Sequence, residues 1–202
     1  ALAANTTAAY NVAIGHRSLK TNTTGSFNVA VGRQALCKNT TATSNTAVGT
    51  SVLFSNTTGA CNTGLGISAL YANTEGHSSV AIVAFALDTN TTGIQNTALG
   101  FKTLCANTTA SGNVAVGAFS LQTNTEGLSN VAVGTCQPSG YGAALELNTT
   151  GDCNVAVGNG ALRSNTTAND NTAVGTLALG CNTTGTNNVA VGKTALQANT
   201  TG

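Results

Sequence analysis

The 202-residue chain is unusual in composition rather than in length: 6% of its residues are charged, 4% are aromatic, and Met and Trp are absent. So few large side chains cannot fill a thick globular core, and a net charge of +1 is too small for a disordered polyelectrolyte. The low charge also argues against nucleic acid as a partner, because phosphate binding needs clustered Lys and Arg. No apolar run reaches the roughly 18–20 residues that span a bilayer.

One short repeat fills nearly the whole chain, and Asn28-Val29-Ala30-Val31-Gly32 begins a typical copy. The consensus is N-(V/T)-A-(V/I/L)-G-x-x-A-L-x-x-N-T-T-G-x-x, and we number its positions one to seventeen. Successive copies are 17 residues apart, except for 24 residues between the eighth and ninth, and a partial copy precedes the first. The eleven copies begin at Asn11, Asn28, Asn45, Asn62, Ser79, Asn96, Asn113, Asn130, Asn154, Asn171 and Asn188.

The repeat length and pattern predict an all-β fold. Seventeen residues are too few for a helical repeat, which needs about 33. Positions one to five alternate like a strand, and the Asn-Thr-Thr triplet is typical of a turn. We therefore expect a parallel β-solenoid (β-roll) of about twelve rungs, with two short strands and two corners in each. At the usual strand spacing it is a rod of roughly 55 Å.

The predicted domain organisation is a single repeat domain over residues 1–202. Because the sequence starts and stops inside a copy, we expect it to be a segment of a longer fibre protein. The aliphatic residue at position four and the Leu at position nine are predicted to form the core ladder of the rod. Its members are Val31, Leu36, Val48, Leu53, Val116, Leu121, Val157, Leu162, Val191 and Leu196.

Position three lies on the opposite face of the predicted strand, and it is Ala in every copy but one. A solvent-facing strand position would vary among larger polar residues, so uniform Ala suggests a second packed surface. We expect several chains to associate along their length through this row; alternatively, the Ala row faces a sharp interior corner of its own chain. The predicted inter-chain residues are Ala30, Ala47, Ala115, Ala156 and Ala190.

The copy that begins at Asn130 carries seven extra residues, predicted to form a loop insertion over residues 135–142. Pro138 and Tyr141 are its expected exposed residues, and the loop is either a contact for a receptor or neighbour, or a tolerated decoration. Cys136 and Cys153 bracket the loop and could form a disulfide in an extracellular protein. Small buried thiols are the alternative interpretation.

The Asn-Thr-Thr triplets match the N-glycosylation pattern as well as turn chemistry. Asn73-Thr74-Glu75 and Asn124-Thr125-Glu126 keep Asn-Thr but lose the glycosylation pattern, which favours the turn interpretation. Glycosylation stays open and would depend on the host. The asparagines concerned are Asn5, Asn22, Asn39, Asn56, Asn90, Asn107, Asn148, Asn165, Asn182 and Asn199.

The (N/S)-V-A-(I/V)-G repeat resembles that of trimeric autotransporter adhesin heads. The longer form, N-T-A-V-G-x-x-A-L followed by N-T-T-G, is similar to repeats of phage and viral tail-fibre proteins that carry a C-terminal intramolecular chaperone domain. The resemblance covers essentially all 202 residues, although the repeat is longer than expected for the adhesin heads. It implies a parallel β-roll with three chains to a fibre, exposed on a cell or virion surface and used for attachment.

The scattered polar residues predict no catalytic or metal site and no cofactor. His16 and His77 occupy different repeat positions in distant copies, and the glycines lack a P-loop lysine. We therefore expect a structural and adhesive fibre segment, extracellular on a virion or cell surface. Its expected partners are further copies of itself, as a trimer or filament, and an unknown surface receptor or glycan. The alternatives are a glycosylated filament that polymerises end to end and an ice-binding solenoid; the adjacent threonines do not favour the latter.

Overall fold

The computed structural model describes residues 1–136 and 140–201, and it contains one parallel sheet in which strand order follows chain order. Each strand pairs with the next at equal repeat positions, as Ala30 does with Ala47. The prediction of a parallel β-solenoid is confirmed. The eleven strands are β1 (Val12–Ile14), β2 (Val29–Val31), β3 (Thr46–Val48), β4 (Thr63–Leu65), β5 (Val80–Ile82), β6 (Thr97–Leu99), β7 (Val114–Val116), β8 (Val131–Val133), β9 (Val155–Val157), β10 (Thr172–Val174) and β11 (Val189–Val191).

Each copy of the repeat forms one coil, and each coil has a single strand. The prediction of two strands in each copy is therefore wrong. The remaining residues of a coil form turns whose backbone groups bond to the neighbouring coils; for example, the Leu36 N–H donates to the Val52 carbonyl at 3.0 Å. No helix occurs anywhere in the described ranges.

Left-handed residues bend the coil at its corners. In the second coil these are Gln34 (φ 61°), Leu36 (φ 49°) and Ser44 (φ 60°), at positions seven, nine and seventeen, and most other coils repeat them. Positive φ is unfavourable for a residue with a Cβ atom. At position nine the conformation turns the Leu side chain into the core, where Leu36 has no exposed surface.

The inside and the outside of the strand are the reverse of the prediction. Position three faces the interior: the Ala residues predicted at an inter-chain surface, Ala30, Ala47, Ala115, Ala156 and Ala190, are at most 3% exposed within their own chain. Position four faces outward, so Val31, Val48, Val116 and Val157 are only half-buried and Val191 is 71% exposed. The alternative interpretation, an Ala row facing the interior of its own chain, is the one the structure supports.

The narrowness of the coil explains this reversal. The buried Leu of position nine already fills much of the cross-section, so only a methyl group fits opposite it. Leu36, Leu53, Leu121 and Leu162 are fully buried, as predicted for the core ladder. Leu196 is 52% exposed because it lies in the last described coil, where no further coil covers it.

One pair of residues shows how tightly this interior is packed. Val52 replaces the usual small residue at position eight, and Gly64 replaces Ala at position three of the next coil. A Cβ atom added at Gly64 would lie 2.4 Å from Cγ1 of Val52. The larger side chain of Val52 therefore occupies the space that a methyl group at position 64 would need.

This compensation predicts a strongly non-additive pair of substitutions. Gly64→Ala alone should lower the free energy of unfolding by about 1–3 kcal/mol through overpacking, and Val52→Ala alone by about 1–2 kcal/mol through a cavity. The double variant restores Ala at both positions and should be close to the original stability. Chemical denaturation of the four proteins tests this, and additive losses would contradict the packing.

The insertion leaves the coil at a corner. Coil-to-coil backbone bonds continue as far as Cys136, whose N–H donates to the Ala118 carbonyl at 3.2 Å, and they resume at Ala144. Strands β8 and β9 pair directly across it. Tyr141 is 41% exposed, as predicted, whereas Pro138 lies outside the described residues.

Candidate functional site

The outward side of the sheet is the largest candidate interaction surface. We call it the outer strand face and define it as the first and last residues of strands β1–β11. All of these residues are Val, Ile, Leu or Thr, so the face carries no charge. Ten strand spacings give a length of roughly 48 Å, and two residues on one side of a strand give a width of roughly 10 Å. Contiguous apolar patches of about this size are often interaction sites.

The exposure of this face is greatest near the two ends of the rod. Ile14 is 61% exposed and Val189 is 70% exposed. Between them most of the valines are half-buried because equivalent residues of adjacent coils pack side by side. The result is two parallel apolar rows, at positions two and four, that follow the rod axis.

The Asn of each Asn-Thr pair forms a continuous ladder in the interior. In one step, Asn39 Nδ2 donates to Asn22 Oδ1 at 2.7 Å and to the Ala42 carbonyl at 3.1 Å. The same side-chain bond links the equivalent Asn of every successive coil from Asn5 to Asn199. Nδ2 therefore closes the turn of its own coil and also donates to the preceding coil.

The ladder contradicts N-glycosylation at these asparagines in the folded coil. A glycan would have to be attached at Nδ2, but that atom already has two acceptors, and the residues from Asn22 to Asn182 have no exposed surface. Asn5 is exposed and Asn199 is half-buried, since each lies in an end coil. The side chains build the corner, as the turn interpretation expects.

A second Asn ladder follows position one. The Asn45 backbone N–H donates to Asn28 Oδ1 at 3.0 Å, while Asn28 Nδ2 donates to the Ala42 carbonyl at 2.8 Å. Ser79 replaces this Asn in the fifth coil and keeps one of the two contacts, because its Oγ accepts from the Asn96 N–H at 3.2 Å. Both buried asparagines are therefore structural.

The two threonines that follow the position-twelve Asn have different environments. Thr40 Oγ1 donates to the Thr57 carbonyl at 3.1 Å and is half-buried, whereas Thr41 is exposed. The triplet thus supplies one exposed threonine row rather than the two outward rows that suit ice binding.

All six cysteines have free thiols, so the predicted Cys136–Cys153 disulfide is wrong. Cys136 lies at position seven, after strand β8, while Cys153 lies at position seventeen, before strand β9. These positions are at opposite edges of the strand layer, which separates the two thiols. The alternative, buried thiols, holds for Cys37, while Cys136 and Cys153 are exposed.

Among the described residues, Asp88 is the one ionisable residue that has a buried side-chain oxygen without a hydrogen-bond partner. This oxygen is Oδ1. Burial raises the pKa of the Asp88 carboxyl above its ordinary 3.8, against the opposing effects of its backbone hydrogen bonds and of Lys102. Burial, followed by the charge of Asp88, also raises the pKa of the Cys105 thiol in the next coil.

We expect Asp88→Asn to stabilise the chain at neutral pH. Because the folded pKa of Asp88 lies above the unfolded value, its ionisation lowers stability as pH rises through that range. The gain from Asn should therefore be present at pH 7 and vanish well below pH 4. Denaturation curves at pH 7 and pH 3 measure this difference. An equal effect at both pH values would contradict the assignment.

Other chemistry-bearing residues do not gather into one place. His16 and His77 lie in different coils, and no group of three or more His, Cys, Asp or Glu suitable for a metal ion occurs within the described ranges. Residues 1–136 and 140–201 include no helix long and apolar enough to cross a membrane.

Comparison with known proteins identifies no relative. No protein-family model, no curated protein and no solved structure matches the chain.

Proposed function

We propose that this chain is a segment of a structural, adhesive fibre, in which copies pack side by side through the outer strand face and present an extended rod on a virion or cell surface. The observation that supports this proposal most directly is the uncharged double row of aliphatic and threonine side chains along the length of the sheet. The similarity of the repeat to adhesin heads and tail fibres supports three chains and an attachment role.

The outer strand face supplies only part of the contact area that a multi-chain particle needs. The area of the face is roughly 500 Å² per chain. One partner in a standard interface contributes about 800 Å², which is more. In a trimer, however, each chain also contacts its neighbours through the surfaces beside the strand. The Ala rows take no part in this packing, because they lie inside each chain.

The mass of the particle in solution tests this proposal. Sedimentation should show three chains for the original protein and one chain for the double variant Val116→Lys/Val157→Lys, since both substitutions place a charge on the outer strand face. The control Thr50→Lys/Thr176→Lys adds the same charge at position six, which follows the strand and is not part of the outer strand face, and should remain trimeric. A single chain for the original protein would refute side-by-side packing.

A second candidate is a filament that grows end to end. The Asn ladder favours it because the ladder has a direction: each Asn donates to the preceding coil and accepts from the following one. An end coil could therefore continue the ladder of another copy. An open-ended mass distribution that grows with concentration would support this candidate over the trimer.

A further inference from the structure

We infer that the copies associate in parallel, with the basic flank of one chain against the acidic flank of its neighbour. The basic flank is the segment from position six to position eleven, after each strand. The acidic flank is the segment from position thirteen to position seventeen, before the next strand. This inference rests on the side-by-side packing of the proposed function.

Charges are separated between these flanks. All seven Lys and Arg residues lie on the basic flank, and four of the six acidic residues lie on the acidic flank. The basic residues are Arg17, Lys20, Arg33, Lys38, Lys102, Arg163 and Lys193; the acidic residues of the acidic flank are Glu75, Glu126, Asp152 and Asp170.

The two remaining acids are already opposed by cations on their own flank. Glu146 Oε2 accepts from Arg163 Nε at 3.3 Å, and Lys102 acts electrostatically on Asp88. The basic flank therefore carries seven positive and two negative charges, a net of +5, while the acidic flank carries −4, which together give the chain's +1.

The placement of the flanks follows from the coil. One segment leaves the strand and the other returns to it, so they lie at opposite edges of the outer strand face. Exposed positions occur on both flanks, as Arg33 and Glu126 show, so burial does not force the separation of charge. The aliphatic face is thus bordered by a positive edge and a negative edge.

The positions of the two charged edges favour one relative orientation of neighbouring chains. When chains are related by rotation about an axis parallel to the rod, the basic edge of each chain meets the acidic edge of the next. When two faces meet in antiparallel orientation, basic meets basic and acidic meets acidic. Because like charges in an interface are costly and interact over about 8–10 Å at ordinary salt, the parallel arrangement is favoured.

Charge reversal on one flank at a time tests this orientation. Glu75→Lys/Glu126→Lys brings the acidic flank from −4 to neutral, and Arg33→Glu/Lys193→Glu lowers the basic flank from +5 to +1, so each pair of substitutions removes most of the attraction between the two edges. Each double variant should weaken association about tenfold or more at low salt. The quadruple variant retains the original net charge but leaves the flanks at +1 and 0, so it should associate as weakly as the double variants; recovery of the original affinity would show that net charge, and not the pairing of flanks, controls association.

The outcomes separate the two proposals. Unchanged affinity in both double variants, measured by sedimentation on a particle that is still multi-chain, would overturn the parallel pairing but not the outer-face packing. A single chain for the unsubstituted protein would instead refute the packing itself. The Thr50→Lys/Thr176→Lys control raises net charge without changing the sign of either flank and should retain association.

A direct measurement of orientation complements the variants. Donor and acceptor dyes on the N-terminal amines of mixed chains should show efficient energy transfer in a parallel particle. In an antiparallel particle the N-termini are roughly 50 Å apart along the rod, so transfer should be weak for a dye pair whose transfer range is well below that distance. Weak transfer within a confirmed multi-chain particle would overturn the inference.

Discussion

Asn90→Ala should lower the free energy of unfolding by about 3–5 kcal/mol, because it leaves two buried oxygens without a donor and removes one of the two acceptors of the Asn107 amide. Asn90 Nδ2 donates to Asn73 Oδ1 at 2.9 Å and to the Gly93 carbonyl at 3.0 Å, and Asn107 Nδ2 donates back to Asn90 at 2.8 Å. For a chain of this size the melting temperature should fall by roughly 10 °C. Thermal and chemical denaturation both measure the loss.

The neighbouring threonine provides the matched control. Thr92 lies two residues along the same corner, but it is exposed, so Thr92→Ala should change stability by less than about 0.5 kcal/mol. Asn90→Asp keeps the shape while removing the donor at neutral pH, and it should be far less stable at pH 7 than at low pH, where a protonated carboxyl can donate. A loss below about 1 kcal/mol in Asn90→Ala would show that the ladder does not hold the coils together.

Ala115→Leu should destabilise the chain by about 3 kcal/mol, because the larger side chain has no space inside the coil. Ala115 has no exposed surface and lies between Ala98 and Ala132 of the adjacent strands. The adjacent Val116 points outward, and Leu already occupies its position in strand β4 at Leu65. Val116→Leu should therefore leave the free energy of unfolding nearly unchanged.

The two substitutions together test which side of the strand is inside. If position four faced the interior, as its larger side chains first suggest, Ala115→Leu would be tolerated and Val116→Leu would be costly. Denaturation below the concentration at which chains associate separates these outcomes, because packing between chains then contributes nothing. The structure predicts that only Ala115→Leu lowers the midpoint.

The sequence predicts the solenoid correctly because its period is regular. The 17-residue spacing and the alternation at Asn28-Val29-Ala30-Val31-Gly32 are enough to predict parallel strands in register. They do not predict the conformation of Leu36, because a left-handed Leu contradicts its intrinsic preference and is stabilised only by its burial in the stack.

The side of the strand that faces inward could not be predicted from hydrophobicity. Val is more apolar than Ala, so a rule based on burial alone places Val31 inside; the available volume beside Leu36 decides otherwise. The compensating pair Val52 and Gly64 was the signal in the sequence, since a larger residue at position eight coincides with the loss of the methyl group at position three.

The Asn ladder and the charged flanks could be predicted only in part from the sequence. The Asn-Thr pairs indicated a turn, but the bond from Asn39 to Asn22 requires knowledge of how coils stack. The separation of charge becomes apparent once residues are assigned to repeat positions. Arg33 and Glu75, which are remote in the chain, then fall on opposite flanks of the rod.

A cryo-EM cross-section of the assembled particle, at a resolution that shows side chains, is the most direct test. The predicted result is three parallel coils whose outer strand faces meet around a shared axis, with Ala115 and Asn90 inside each coil. A single coil in each cross-section, with Val116 and its equivalents facing solvent along the whole particle, would contradict the proposal that these rows hold a fibre together.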